Sequence, residues 1–258
     1  MRSIALLLAA MIPAFVSAAE CTARSGPNTT TALVELYTSE GCDSCPPADR
    51  WVSKLAASGF DSSRVVALAF HVDYWDYIGW KDPFAKPAWT QRQRDGVRSS
   101  GGRIVYTPQV TLNGKDFRPW SLGGAFRDAV TAINARPPSA ALELVARVGE
   151  REITVSTSAQ LRNSANPQEH ALFLALTESR LVSAVKAGEN TGKTLNHDHV
   201  VRELRRSGLF DASGRNNTDQ VLAITPGWNR DALGLVAFVQ NTLTGEILQA
   251  LALPLCRG

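Results

Sequence analysis

Cys42 and Cys45 stand three positions apart in the run Gly41-Cys42-Asp43-Ser44-Cys45-Pro46. Thiols at that spacing support three chemistries. They can exchange with a partner's disulfide, one thiolate attacking and the other resolving the mixed disulfide. They can close into a permanent cross-link, or bind copper or zinc as soft ligands. Exchange needs an activated thiolate, and a helix start supplies one because its aligned N–H dipoles favour negative charge. On that reading Cys42 is the exposed nucleophile and Cys45 the buried resolving thiol. Asp43 adds a negative charge that raises the thiol pKa, so the pair is expected to be less oxidising than a strong oxidase.

Local patterning supplies the elements such a pair needs. Thr31 to Thr38 (TALVELYT) is an apolar, β-branched run that reads as a buried strand, ended by Ser39-Glu40-Gly41. Pro46 opens a segment in which Trp51, Val52, Leu55 and Ala56 recur at helical spacing until Gly59. Val65 to Val72 is continuous enough for a strand covered on both faces. Strand, Cys-x-x-Cys, helix and strand make a βαβ unit with a parallel pair. An aromatic stretch follows, broken by Pro83 and Pro87, with a helix expected over Ala88 to Arg98. Ile104 to Leu112, the hairpin signal Asn113-Gly114, and a helix over Leu122 to Ala135 complete this half. Arg136-Pro137-Pro138-Ser139 reads as a boundary. Beyond it Leu142, Leu144, Ala146, Val148, Ile153 and Val155 alternate with polar neighbours, and further short strands are expected at His170–Thr177, Val221–Ile224, Leu235–Gln240 and Glu246–Leu253. Such spacing favours a small β-sandwich.

Three runs carry a family resemblance: Glu35 to Asp49 through the two cysteines, Phe70-His71-Val72-Asp73-Tyr74-Trp75 onward to Phe84, and Tyr106-Thr107-Pro108-Gln109 with Asn113-Gly114. Gly188 to Arg202 extends it into the second half. The chain resembles a family of secreted bacterial thioredoxin-like proteins known as a domain of unknown function. The resemblance implies an α/β thioredoxin-like domain followed by a mostly antiparallel, sandwich-like β domain, and no activity. The expected division is a signal peptide at 1–19, the thioredoxin-like domain at 20–136 and the β domain at 137–258. In thioredoxin-like folds a proline in the place of Pro108 is cis and presents the preceding backbone, here Thr107, to an extended peptide.

Other residues leave alternatives open. Trp75, Tyr77 and Trp80 form either a wall that recognises a partner's peptide or a cap over the sheet edge. His71 is either a proton carrier for the thiols or a satisfied strand-end histidine. His197 and His199 invite a metal reading with the cysteines, against a turn or domain contact before a helical pattern at Val200 to Leu204; no metal and no cofactor are expected at the site. Arg202, Arg205 and Arg206 read as a solvated helical face.

Address and charge narrow the class. Met1 to Ala19 has a charged start, an apolar middle and a small-residue cut site, the pattern of a cleaved signal peptide, which implies a periplasmic or secreted protein. No later run is apolar and long enough to span a membrane. A net charge of +3 with interspersed signs makes no case for nucleic acid. With an even count of 4 cysteines and an oxidising destination, Cys21 and Cys256 are expected to staple the two ends, unless one is free or pairs with another chain. Gly-rich phosphate loops, a Ser nucleophile elbow and paired carboxylates do not stand out. The leading expectation is a thiol-disulfide oxidoreductase acting through Cys42 and Cys45 on protein or peptide thiols and disulfides. The alternatives are a binding or scaffold protein with a structural Cys42–Cys45 disulfide, and a copper or zinc carrier using the same thiols. The oligomeric state is left open.

Overall fold

The computed structural model describes residues 19–162 and 166–256; the expected signal peptide lies outside them except for Ala19. In chain order the elements are β1 (Ala19–Arg24), β2 (Ala32–Thr38), α1 (Pro46–Ser53), β3 (Val65–His71), α2 (Pro87–Ser99), β4 (Gln109–Leu112), β5 (Lys115–Asp116) and α3 (Gly123–Asn134). Then follow β6 (Ala140–Val148), β7 (Glu152–Leu161), β8 (His170–Glu178), β9 (Leu181–Ala184), β10 (Thr194–His197), β11 (Val200–Leu209), β12 (Arg215–Ala223), β13 (Leu233–Asn241) and β14 (Ile247–Pro254). The protein is α/β, with mostly antiparallel strand pairing.

β2 and β3 pair in parallel across α1, and β4 lies antiparallel to β2 on its other side. Every residue of β2 and β3 is buried because both faces are covered. Ala32, Val34 and Leu36 pack with Val52 of α1 and Phe126 and Val130 of α3. Leu33 and Tyr37 point to the opposite face, where Trp89 of α2 lies. Alternation of side chains along a strand explains how one apolar run serves two cores. The helices over Pro87–Ser99 and Gly123–Asn134 lie within a residue or so of the expected segments, whereas α1 stops at Ser53, well before Gly59, and a separate 3-10 turn covers Ala56–Ser58. Extended pairing begins only at Gln109, not at Ile104, because Pro108 has no N–H to donate to the ladder.

Strands from both sides of residue 136 share one eight-stranded sheet, in the order β14-β13-β8-β11-β3-β2-β4-β5. The junction is a short parallel contact at Val200 and Ala69, where the Ala69 N–H donates to the His199 carbonyl at 2.8 Å. A second sheet, β1-β6-β7-β12, covers one face of β8, β13 and β14. Leu235, Ala237 and Val239 face that inter-sheet core, whereas Val236 and Phe238 join the core beneath α2. The Cys21–Cys256 disulfide, 235 residues apart with Cα atoms at 5.7 Å, joins β1 to the residues just after β14.

One expected helix is a strand. Val200 to Leu204 and the arginines after it belong to β11, paired with β8, with register shifts at Val201/Glu203 and Arg206/Leu209. Those bulges break the two-residue alternation and leave apolar residues at a spacing that mimics a helical turn. Arg202, Arg205 and Arg206 are thus spread along a strand, with Arg202 ion-paired to Glu178 at 3.2 Å and Arg205 to Glu203 at 2.6 Å. Among the described residues no helix is long and apolar enough to cross a membrane.

Candidate functional site

β2 delivers the chain to its C-terminal end at Thr38, and the turn after it is held by the Cys42 N–H on the Ser39 carbonyl at 3.2 Å. Cys45 precedes α1, whose first position is Pro46, a residue whose missing N–H would have had no helical partner anyway. The N–H groups of Ala48 and Asp49 return to the Cys45 carbonyl at 2.9 and 3.2 Å. The two sulfurs are bonded to each other, with Cα atoms 5.5 Å apart.

Cys42 is not the exposed thiol expected from the motif. Both cysteines have 0% exposure, while Asp43 and Ser44 between them face solvent. The loop between β9 and β10 is tied to the backbone of the motif turn. Its Asn190, buried, donates from Nδ2 to the carbonyls of Glu40 and Cys42, both at 2.8 Å. Lys193 Nζ holds the Asn190 Oδ1 at 2.8 Å, and Glu189 accepts the Asp43 N–H at 3.0 Å. A loop separated by about 150 residues in sequence from the motif thus holds the backbone around Cys42.

Three of the five residues expected to bind substrate gather at this end of the sheet. The Thr107–Pro108 peptide is cis. Gln109 pairs with Tyr37, which puts Pro108 level with Thr38, the last residue of β2. Trp75 donates from Nε1 to Thr107 Oγ1 at 2.7 Å. It also packs so closely on Gly41 that a Cβ there would lie 3.2 Å from the Trp75 Cβ. Trp75 thus ties the proline loop to the residue before Cys42. Trp80 is turned inward and donates to Glu40 Oε2 at 2.7 Å, whereas Tyr77 is 80% exposed.

Beside the disulfide's loop lies a buried polar cluster: Glu40, Asp49, His71, Asp82 and His197. His71 Nδ1 is 2.7 Å from Asp82 Oδ2, which also accepts the Glu40 N–H at 2.9 Å. His197 Nε2 is 3.0 Å from Glu40 Oε1, and its Nδ1 is 3.8 Å from Asp49 Oδ1. Thr38 donates to Asp49 Oδ2 at 3.0 Å. Burial opposes a charge on His197, but Asp49 and Glu40 outweigh it and push its pKa up to about 9. Burial likewise works to raise the Asp82 pKa, and the neighbouring His71 together with two backbone N–H groups brings it below the ordinary carboxylate value.

Of the histidines singled out in sequence, His71 and His197 meet here, their rings 4.8 Å apart. His199 does not join them. It sits in the two-residue turn into β11 with φ of 59°. Sequence reasoning missed Glu40, Asp49, Asp82 and Asn190. Asp49 had a local signal, since a helical residue four positions after Cys45 lies on the same face. Asn190 had none.

Among solved structures, protein AGR_C_4864 from Agrobacterium tumefaciens aligns with a TM-score of 0.59 at 25% identity, over 88% of this chain and 96% of that one. HBP35 of Porphyromonas gingivalis aligns with a TM-score of 0.66 over 90% of this chain and 77% of that one, and at 16% identity this is a likeness of fold alone. No curated protein matches the sequence. Residues 33–240, which include both motif cysteines, the cis proline and the whole polar cluster, match the model of a family described as protein of unknown function (DUF1223), and the chain belongs to that family.

Proposed function

We propose that this chain is a thiol-disulfide exchange protein of thioredoxin-like design, acting outside the cytoplasm on protein or peptide thiols and disulfides. The observation that carries the reading is a convergence at one sheet end. The Cys42–Cys45 bond opens α1 directly after β2, the cis Thr107–Pro108 peptide is level with the end of β2, and Trp75 bridges the two. Two disulfides in one chain suit an oxidising compartment. In the reduced protein the Cys42 thiolate attacks one sulfur of a partner disulfide, and the partner's other sulfur leaves as a thiol. Cys45 then attacks Cys42 Sγ, releasing the partner's second sulfur as a thiol and closing Cys42–Cys45, so two electrons pass to the partner. Because both sulfurs are buried, exchange requires the surroundings of the motif to open, and the Asn190 loop, bonded to the Cys42 backbone, is the segment that this reading moves.

The complete burial of both sulfurs favours a second reading, a permanent cross-link that holds the motif loop on the polar cluster. The reduction potential separates the two. A value between about −120 and −270 mV with glutathione exchange supports the redox protein, and one below about −300 mV without exchange supports the cross-link.

A further inference from the structure

The polar cluster contains two buried ring nitrogens with no hydrogen-bond partner, His71 Nε2 and His197 Nδ1. Unpaired polar atoms in an interior are rare because each forfeits its solvation. Both belong to side chains with at most 2% exposure, and both converge with the Asp49 carboxylate, the three donor atoms lying within 4.8 Å of one another.

The far nitrogen of each ring is held by a carboxylate: Asp82 on His71 Nδ1 at 2.7 Å and Glu40 on His197 Nε2 at 3.0 Å. An ionised carboxylate only accepts, so Nδ1 of His71 and Nε2 of His197 are the protonated nitrogens. Each opposite nitrogen is then turned inward as a donor to a cation, with any proton on His197 Nδ1 released as the cation binds. A carboxylate behind each ligating imidazole is how metal sites fix the ring and raise its basicity. Charge points the same way. Asp49, Asp82 and Glu40 are three buried carboxylates, and among the described residues their ion-pair partners are these two histidines, with no Lys or Arg.

We propose that Asp49, His71 and His197 form a binding site for a divalent first-row transition metal, zinc in the first instance, separate from the thiols. Two imidazoles and one carboxylate suit zinc, with a fourth position left for water or another ligand. Metal bonds of about 2.0–2.2 Å require donors roughly 3.4 Å apart, so the side chains draw inward by about an ångström on binding.

The test uses the protein with both disulfides closed, so that no thiolate competes. After EDTA treatment it is titrated with zinc chloride by calorimetry, and with cobalt(II) chloride by visible absorption. One equivalent of zinc should bind, and cobalt should show ligand-field bands without thiolate charge transfer. His71→Gln and Asp49→Asn should each weaken zinc binding at least ~100-fold. Asp82→Asn, which touches His71 and not the metal, should weaken it by about 10–100-fold. Because buried variants can fail to fold, nitrogen-15 histidine spectra of the unaltered protein provide a second readout. Of its 4 histidines, His71 should respond to zinc through Nε2 and His197 through Nδ1, while His170 and His199 stay unchanged. A folded protein that takes up no zinc, full affinity in a folded His71→Gln, or a response confined to His170 or His199 overturns the site. Zinc binding is read on the oxidised protein, so its presence or absence is independent of whether the thiols exchange.

Discussion

At Cys42 the limit on thiol chemistry is access. A sulfur without exposed surface is attacked only in the fraction of molecules whose cover has opened, however favourable its thiolate. On the proposed reading Cys42, the first of the pair, attacks and Cys45 resolves. Cys42→Ser is expected to abolish catalysed insulin reduction. Cys45→Ser should accumulate partner-linked species through Cys42, visible by mass spectrometry. Equal residual turnover in the Cys42→Ser variant would remove the exchange mechanism. At this scale the sequence was informative where chemistry is local, as in the Cys-x-x-Cys spacing. It was silent about Glu40, whose partners His197 and Trp80 are far away in the chain.

At the scale of elements, the loop between β9 and β10 holds the backbone around Cys42, and on the proposed reading it gates the disulfide. Asn190→Ala removes the bonds to the Glu40 and Cys42 carbonyls and the one from Lys193; the Cys42 carbonyl keeps the Cys45 N–H while the Glu40 carbonyl loses this donor, at a cost of roughly 1–3 kcal/mol to the closed loop. Reduction of Cys42–Cys45 by dithiothreitol should therefore speed up by roughly ten- to a hundredfold, while the global melting curve shifts little. An unchanged rate would show that this loop is not the gate. The Asn113-Gly114 hairpin has a second role in packing. Gly114 has φ of +81°, and a Cβ there would lie 2.0 Å from the Gly245 carbonyl oxygen, in the turn between β13 and β14. Gly114→Ala combines a disfavoured backbone conformation with a clash against rigid backbone, and should destabilise the fold by about 2 kcal/mol or more in urea melts. The turn residues were legible in the sequence because Asn-Gly encodes its own geometry; their contact with another turn was not.

For the whole molecule, the terminal disulfide ties the second sheet's edge strand β1 to the tail of β14. In the chain-entropy picture, closing a loop of that length restricts the unfolded state by at most roughly 5 kcal/mol. Cys21→Ala with Cys256→Ala should lower the urea midpoint substantially and leave the reduction rate of Cys42–Cys45 nearly unchanged, because the staple and the motif loop share no residues. A parallel rise in that rate would mean that opening at Cys42 is global unfolding. By itself the sequence determined the βαβ unit around the cysteines, the hairpins and the alternating strands, and made the pairing of the end cysteines the leading expectation. The first three follow from periodicity and turn chemistry within short windows, the last from the cysteine count and the ends of the chain. Only the tertiary structure decided that strands from both halves form one sheet, that residues 200–209 extend along β8, that Asn190 bonds to the Cys42 carbonyl, and that His71, His197 and Asp49 meet. Those outcomes depend on contacts between residues 22 to about 150 positions apart, where local pattern carries no information and pairing and burial select the arrangement.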